Sequence, residues 1–93
     1  MNRKNVVWTA DALRKLRAIT DYIAERNITA ARRLEESFSH CANRLVDHPM
    51  MYRKGRVAGT REAIVHPNYL MIYKVREDDI LIISVVHARQ QYP

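Results

Sequence analysis

The chain has 93 residues, of which 47% are hydrophobic and 28% are charged. That length supports one domain, residues 1–93, because a second core would need roughly another 100 residues. The composition excludes disordered and collagen-like chains. Sixteen Lys and Arg against ten Asp and Glu leave a formal net charge of +6. This charge favours an acidic or polyanionic partner, since each phosphate contact releases condensed counterions.

The first half of the chain has a helical pattern. Neither glycine nor proline occurs between Thr9 and His48, and apolar residues recur there at three- and four-residue steps. We predict two amphipathic helices with a turn at residues 26–29, capped by Thr9 and Thr29 and stopped by Pro49. The apolar positions are Leu13, Leu16, Ile19 and Ile23, then Ala31, Leu34, Phe38, Cys41, Ala42 and Leu45. The short link makes the helices an antiparallel hairpin.

After Pro49 the pattern becomes strand-like. Residues 61–66, 69–76 and 79–86 are rich in β-branched or aromatic side chains and are joined by short turns, which predicts antiparallel pairing. Residues 5–8 predict a short edge strand. The fold class is therefore α+β, in the order β-α-α-β-β-β, with the helical hairpin packed on one face of a small curved antiparallel sheet.

Metal and cofactor chemistry find no support in the sequence. The four histidines lack paired spacing, a single cysteine cannot supply a thiolate cluster, and there is no glycine-rich phosphate loop. Cys41 falls on an apolar helix face, so we predict a buried, inert thiol. We predict a cytoplasmic protein without a membrane partner for three reasons. The chain has one cysteine, it has no apolar run of the ~20 residues that span a bilayer, and no hydrophobic region follows its basic start.

A basic segment follows the helices. Arg53, Lys54, Arg56 and Arg61 place four positive charges in nine residues, and the first acid after them is Glu62. The planar guanidinium group suits phosphate or carboxylate because it donates two parallel hydrogen bonds. The segment is either a contact surface for such a partner or a solvated loop with a few salt bridges.

The end of the chain carries residue types that transfer protons and bind anions. Strand alternation puts His87 and Arg89 on one face with Val85, and Arg61 reaches the same groove if that face is concave. With Tyr92, such a cluster would suit RNA cleavage, the arginine stabilising the phosphorane charge. In the alternative interpretation His87 bonds to a neighbouring strand and Tyr92 packs as a terminal plug.

Several segments, in order, resemble the ParE/RelE superfamily of bacterial type II toxins. They are residues 7–9, 12–13, 22–27, 30–34, 45–49, 55–57, 59–62, 66–69, 72–75 and 86–93. The resemblance covers nearly the whole chain and implies the same helical hairpin on a curved sheet. It also implies a toxin that inhibits growth, a role tied to plasmid stabilisation.

The resemblance implies one of two targets. ParE-like members poison DNA gyrase without an enzymatic site, whereas RelE-like members cut mRNA on the ribosome. Residues 59–62 and 66–69 resemble the ParE branch more closely, so we predict a gyrase inhibitor that blocks DNA replication. Its expected target-binding residues are Lys54, Arg56, Arg61, Arg89 and Tyr92. Under the endonuclease alternative the catalytic candidates are Arg61, His87 and Tyr92.

Either target implies further partners. Antitoxins of this superfamily wrap a C-terminal segment around the toxin, so we expect a cognate antitoxin in the groove beside the helical hairpin. A basic toxin favours an acidic wrapping segment, because opposite potentials speed the encounter. Operator DNA would be reached only through the antitoxin. A plain DNA-binding module is the weakest alternative, since no recognition helix stands out.

Overall fold

A computed structural model describes residues 4–93, and the basic start at residues 1–3 lies outside them. The elements in chain order are β1 (Asn5–Trp8), α1 (Ala10–Ala24), α2 (Ile28–Asp47), β2 (Arg53–Lys54), β3 (Arg61–His66), β4 (Tyr69–Val75) and β5 (Asp79–His87). The predicted order is confirmed with one addition, the two-residue strand β2. It forms because the basic segment folds back on the start of β3.

The helices begin at side-chain caps. The Thr9 side chain accepts a hydrogen bond from the Ala12 amide at 3.0 Å, as predicted. The cap of α2 is Asn27 and not Thr29, because the extended Asn27 backbone lets its side chain accept from the Ala30 amide at 3.0 Å. Thr29 is already inside the first turn. Helix α2 ends at Asp47 because proline at position 49 disfavours helical backbone in the residue before it.

The five strands form one sheet in the order β1-β5-β4-β3-β2. Strands β3, β4 and β5 pair antiparallel, as predicted, and β1 lies at an edge. However, β1 pairs parallel with β5, so the sheet is mixed rather than wholly antiparallel. The helical hairpin supplies the long connection that a parallel pair requires: the chain leaves one edge after β1 and re-enters at the other.

The main core lies between the helices and one face of the sheet. Its largest fully buried side chains are Tyr73, Phe38, Leu45, Met71, Ile80, Ile82 and Cys41. The predicted burial of Cys41 is therefore confirmed. Leu13 is off the buried face of α1 and 47% exposed. None of the helices within residues 4–93 is long and apolar enough to cross a membrane.

The opposite face of the sheet carries a smaller apolar cluster. Leu70, Ile72 and Val86 are buried there, with Ala88 and Tyr92 packed against them. We call residues 88–93, which follow β5 and fold back over this face, the C-terminal strap. The sheet therefore has covers on both faces, helices on one and the strap on the other.

Candidate functional site

The basic loop, residues 53–61, is closed by hydrogen bonds between its two ends. The Gly55 amide donates to the Thr60 carbonyl at 2.7 Å, and the Thr60 hydroxyl donates to the Val57 carbonyl at 2.6 Å. Position 55 must lack a side chain, because a Cβ atom there would overlap the Thr60 hydroxyl. Gly59 has φ of +82°, a value that favours glycine. The loop thus presents its cations from a defined backbone.

A buried carboxylate lies under this loop. Glu62 is only 3% exposed, and it pairs across the strands with Arg53, whose Nε donates to Oε1 at 2.8 Å. The Arg56 Nε lies 3.8 Å from Oε2. No group within residues 4–93 donates a hydrogen bond to that Oε2 atom. Sequence reasoning missed Glu62; its signal was an acid between Arg61 and the apolar residues 63–65 of the same strand.

Arg56 also contacts the C-terminal strap. Its guanidinium carbon lies 4.5 Å from the centre of the Tyr92 ring, a cation–π distance. The ring packs on the cluster of Leu70, Ile72 and Val86. The Tyr92 hydroxyl is buried, and nothing in the described part of the chain hydrogen-bonds to it. The structure thus brings together two of the predicted target-binding residues, Arg56 and Tyr92.

The side chain of Arg61 is hydrogen-bonded to the protein's own backbone. Its guanidinium donates to the Tyr52 carbonyl at 2.7 Å and approaches the Met50 carbonyl at 3.5 Å. Beside it the Tyr73 hydroxyl donates to the Pro49 carbonyl at 2.8 Å. Burial raises the pKa of Tyr73 to about 12, and the positive charge of Arg61 acts in the opposite direction. Arg61 therefore anchors the segment between α2 and β2.

His87 lies on the face of the sheet that carries the helices. Its ring meets Tyr69 edge-on with centroids 5.5 Å apart, and Tyr69 packs against the main core. The His87 Nδ1 accepts a hydrogen bond from the Arg89 amide at 3.1 Å. Strand β5 ends at His87, so Arg89 lies in a turn and the predicted alternation does not extend to it.

The structure does not bring Arg61, His87 and Tyr92 together. His87 is on the helix-covered face, and Tyr92 is on the other. Arg61 pairs with Tyr73 and His87 with Tyr69, positions roughly 13 Å apart along β4 at 3.3 Å per residue. The condition for a shared groove, a concave face holding all three, is not met.

A cleft of about 430 Å³ lies elsewhere, between the turn of the helical hairpin and the β3–β4 turn. Its apolar lining includes Ile23, Leu34 and Tyr69, and Arg33 is the charged residue of the lining. No carboxylate of the described residues lines it. The cleft therefore suits an apolar side chain that comes with negative charge.

Metal ligands do not cluster. Within residues 4–93 no three His, Cys, Asp or Glu side chains lie where they could hold an ion together. What the structure offers is a basic loop, an exposed Lys54 within it, and an exposed Arg89 at the start of the strap. These groups can bind acidic surfaces or phosphates by charge and by the arginine fork.

A helical hairpin on one face of a small sheet is the fold of the solved toxin structures that this chain resembles. A solved structure of the chromosomal ParDE toxin–antitoxin system of Pseudomonas aeruginosa superposes with a TM-score of 0.79. It is 19% identical in sequence and covers 91% of this chain and 96% of its own. The fold class predicted from the sequence is thereby confirmed.

Sequence comparisons agree. The protein Y4kP of Sinorhizobium fredii is 35% identical over 94 residues, covering 100% of this chain and 97% of its own. Toxin RelE2 of Caulobacter vibrioides is 36% identical over 85 residues, covering 89% and 93%. The family model described as the ParE toxin of the type II toxin–antitoxin system, parDE, matches residues 6–92. The chain belongs to this family, as the sequence resemblance predicted.

Proposed function

We propose that this toxin inhibits DNA gyrase by binding it, trapping the gyrase–DNA cleavage state and so blocking replication in the cytoplasm. The observation that supports a binding poison best is the separation of Arg61, His87 and Tyr92. General acid–base cleavage needs its groups within about 3 Å of one reacting site, directly or through one water. Here each candidate group faces a different part of the fold.

The contacts that each of these residues makes support the same proposal. The Arg61 guanidinium is bonded to a backbone carbonyl, and the His87 Nδ1 accepts from a backbone amide. The Tyr92 hydroxyl is buried on the opposite face. A cluster with these contacts would have to rearrange before it could transfer protons, whereas a charged binding surface is already assembled.

We assign the target contacts to exposed cations. Lys54 and Arg56 extend from the basic loop, and Arg89 lies at the start of the strap. Tyr92 contributes through its ring, which supports Arg56, and Arg61 contributes by anchoring the segment that leads from α2 into the basic loop. Together they offer acidic protein or DNA phosphate a surface of charge and arginine forks.

A supercoiling reaction with purified toxin tests this assignment. Wild-type protein should abolish supercoiling and accumulate cleaved DNA, and the double charge reversal Lys54→Glu/Arg56→Glu should not. The matched control, Arg17→Glu/Arg32→Glu, makes the same change in net charge on exposed helix positions and should inhibit like the wild type. Folded wild-type protein without effect on gyrase would refute the target, and equal loss in the control would refute the surface.

The second candidate is ribosome-dependent mRNA cleavage. The 36% identity to toxin RelE2 over most of both chains favours it. This function requires His87 or Tyr92 chemistry, so His87→Gln/Tyr92→Phe should abolish cleavage in a translation extract while thermal unfolding stays cooperative. Under gyrase inhibition the same double variant should remain as toxic to growing cells as the wild type.

We propose that the cognate antitoxin inserts an apolar side chain of an acidic segment into the cleft at the helical turn. The family's toxin–antitoxin pairing and the carboxylate-free lining with Arg33 support this. Arg33→Glu should weaken capture of the antitoxin by about tenfold, the loss expected for one charged hydrogen bond. Arg32→Glu, one residue away and outside the cleft lining, should leave capture unchanged; equal losses would refute the site.

A further inference from the structure

The guanidinium of Arg56 lies between two groups that compete for it. On one side its carbon is 4.5 Å from the Tyr92 ring centre. On the other its Nε is 3.8 Å from the Glu62 Oε2. The second distance is too long for a hydrogen bond, which for this pair of atoms falls between 2.7 and 3.2 Å. Arg56 therefore stacks on the ring without completing its pair with the acid.

Glu62 can accept a hydrogen bond from Arg56. Its side chain is 3% exposed, its Oε1 is used by Arg53, and its Oε2 is buried without a hydrogen-bond donor among residues 4–93. A buried carboxylate oxygen in that state gains from any donor that reaches it. A shift of about 1 Å in Arg56 would make the bond, because 3.8 Å would become a hydrogen-bond distance.

We propose that Tyr92 is a positioning residue: its ring holds the Arg56 guanidinium away from Glu62 and so keeps the N–H donors available to the target. The inference rests on the proposed function, in which Arg56 is a target contact. The side chain of Arg56 is 46% exposed in this position. In the absence of the ring, no contact competes with Glu62 for Arg56. The guanidinium then closes onto the buried Oε2, which gains from a charged hydrogen bond.

The hydroxyl of Tyr92 has no part in this role. It is buried and receives no hydrogen bond from the described residues, while the ring makes the contact with Arg56. Tyr92→Phe should therefore preserve the position of Arg56. Tyr92→Leu keeps an apolar cover on Leu70, Ile72 and Val86 but removes the aromatic face, so it separates stacking from folding.

The first test observes Arg56 itself and does not depend on the target. Solvent exchange of its side-chain Nε–H, followed by NMR, should slow by about tenfold in Tyr92→Leu, because the proton becomes bonded to Glu62. Tyr92→Phe should exchange like the wild type. In Tyr92→Leu/Glu62→Gln the neutral amide attracts the guanidinium less, and exchange should stay fast. Unchanged exchange in Tyr92→Leu would overturn the proposal.

The second test measures inhibition of supercoiling by the same variants. Tyr92→Leu should need about tenfold more protein for half-inhibition, one charged hydrogen bond being lost to the target. The double variant with Glu62→Gln and the Tyr92→Phe variant should both return to within about twofold of the wild type. A purely structural role would not be rescued by Glu62→Gln, so failure of the double variant to recover would overturn the proposal.

The two tests separate this inference from the proposed target. If wild-type toxin leaves gyrase active but Arg56 exchange follows the predicted order, the positioning role stands and the target assignment fails. The second test is then repeated with growth arrest on induced expression as the measure of toxicity. It compares the wild type, Tyr92→Leu, Tyr92→Phe and Tyr92→Leu/Glu62→Gln. If Tyr92→Phe loses toxicity as fully as Tyr92→Leu, the hydroxyl is required and the positioning role is refuted.

Discussion

Replacing Arg61 by methionine should cost stability rather than target affinity. The change keeps a long apolar stem and removes the guanidinium that donates to the Tyr52 carbonyl at 2.7 Å. The bond to the Met50 carbonyl, at 3.5 Å, is at the limit of a hydrogen bond and adds little. One hydrogen bond from a charged donor contributes about 1.5–3 kcal/mol, so we expect a loss of roughly 2 kcal/mol.

That loss is large enough to measure. In a domain of this size, 1 kcal/mol moves the unfolding midpoint by roughly 4–8 °C, so Arg61→Met should unfold about 8–16 °C lower than the wild type. Thermal unfolding followed by circular dichroism gives the change in the unfolding midpoint. Urea unfolding followed in the same way gives the change in the free energy of unfolding. Arg56→Met is the matched control, and its partly exposed ion pair and ring contact should cost less than about 1 kcal/mol.

The inhibition data complete the comparison. At a temperature where both variants are folded, Arg61→Met should retain inhibition and Arg56→Met should lose it. An Arg61→Met protein that melts within about 2 °C of the wild type but no longer inhibits growth would refute the anchoring role. Arg61 would then be a target contact, as the sequence alone predicted.

Three further predictions concern the fold. Burial raises the pKa of Tyr73 from 10.0 to about 12. As the pH rises, the unfolded chain therefore loses this proton before the folded protein does. The free energy of unfolding should be constant below about pH 10 and fall by roughly 2–3 kcal/mol towards pH 12. Urea unfolding at several pH values measures the fall, and Tyr73→Phe should remove most of it; an unaltered fall would place its cause elsewhere. Asn27→Ala should cost about 1 kcal/mol by removing the cap of α2, and Thr29→Ala clearly less; the reverse order would restore Thr29 as the cap. Gly55→Ala should cost about 1–3 kcal/mol through overlap with the Thr60 hydroxyl, and a Thr60→Ala change in the same protein should recover part of it; no recovery would mean that the backbone, not the hydroxyl, sets the cost.

Local pattern was sufficient for most of the elements. The helical period between Thr9 and His48, the stop at Pro49 and the alternation after it depend on contacts between near neighbours in sequence, and the structure has those elements. The N-cap of α1 follows from one threonine before an apolar period. The cap of α2 was misplaced because Asn27 and Thr29 are both good caps, and only the backbone conformation at the turn selects between them.

The pairing of strands far apart in the chain could not be predicted from the sequence. The parallel pairing of β1 with β5 joins residues more than seventy positions apart, and no local signal encodes its direction. The same holds for the sheet face of Tyr92. Strand alternation predicts a face only while the strand continues, and β5 ends at His87 before the strap folds over the other side.

The residues of the site divide in the same way. The sequence by itself determined the toxin family and the concentration of positive charge at residues 53–61, because both are properties of residue order and composition. Only the tertiary structure decided which cations are available to a partner. Arg61 is taken by a backbone carbonyl, and Arg56 is shared between Glu62 and Tyr92. Those contacts cross between strands and the strap, where distance in space, and not in sequence, sets the energy.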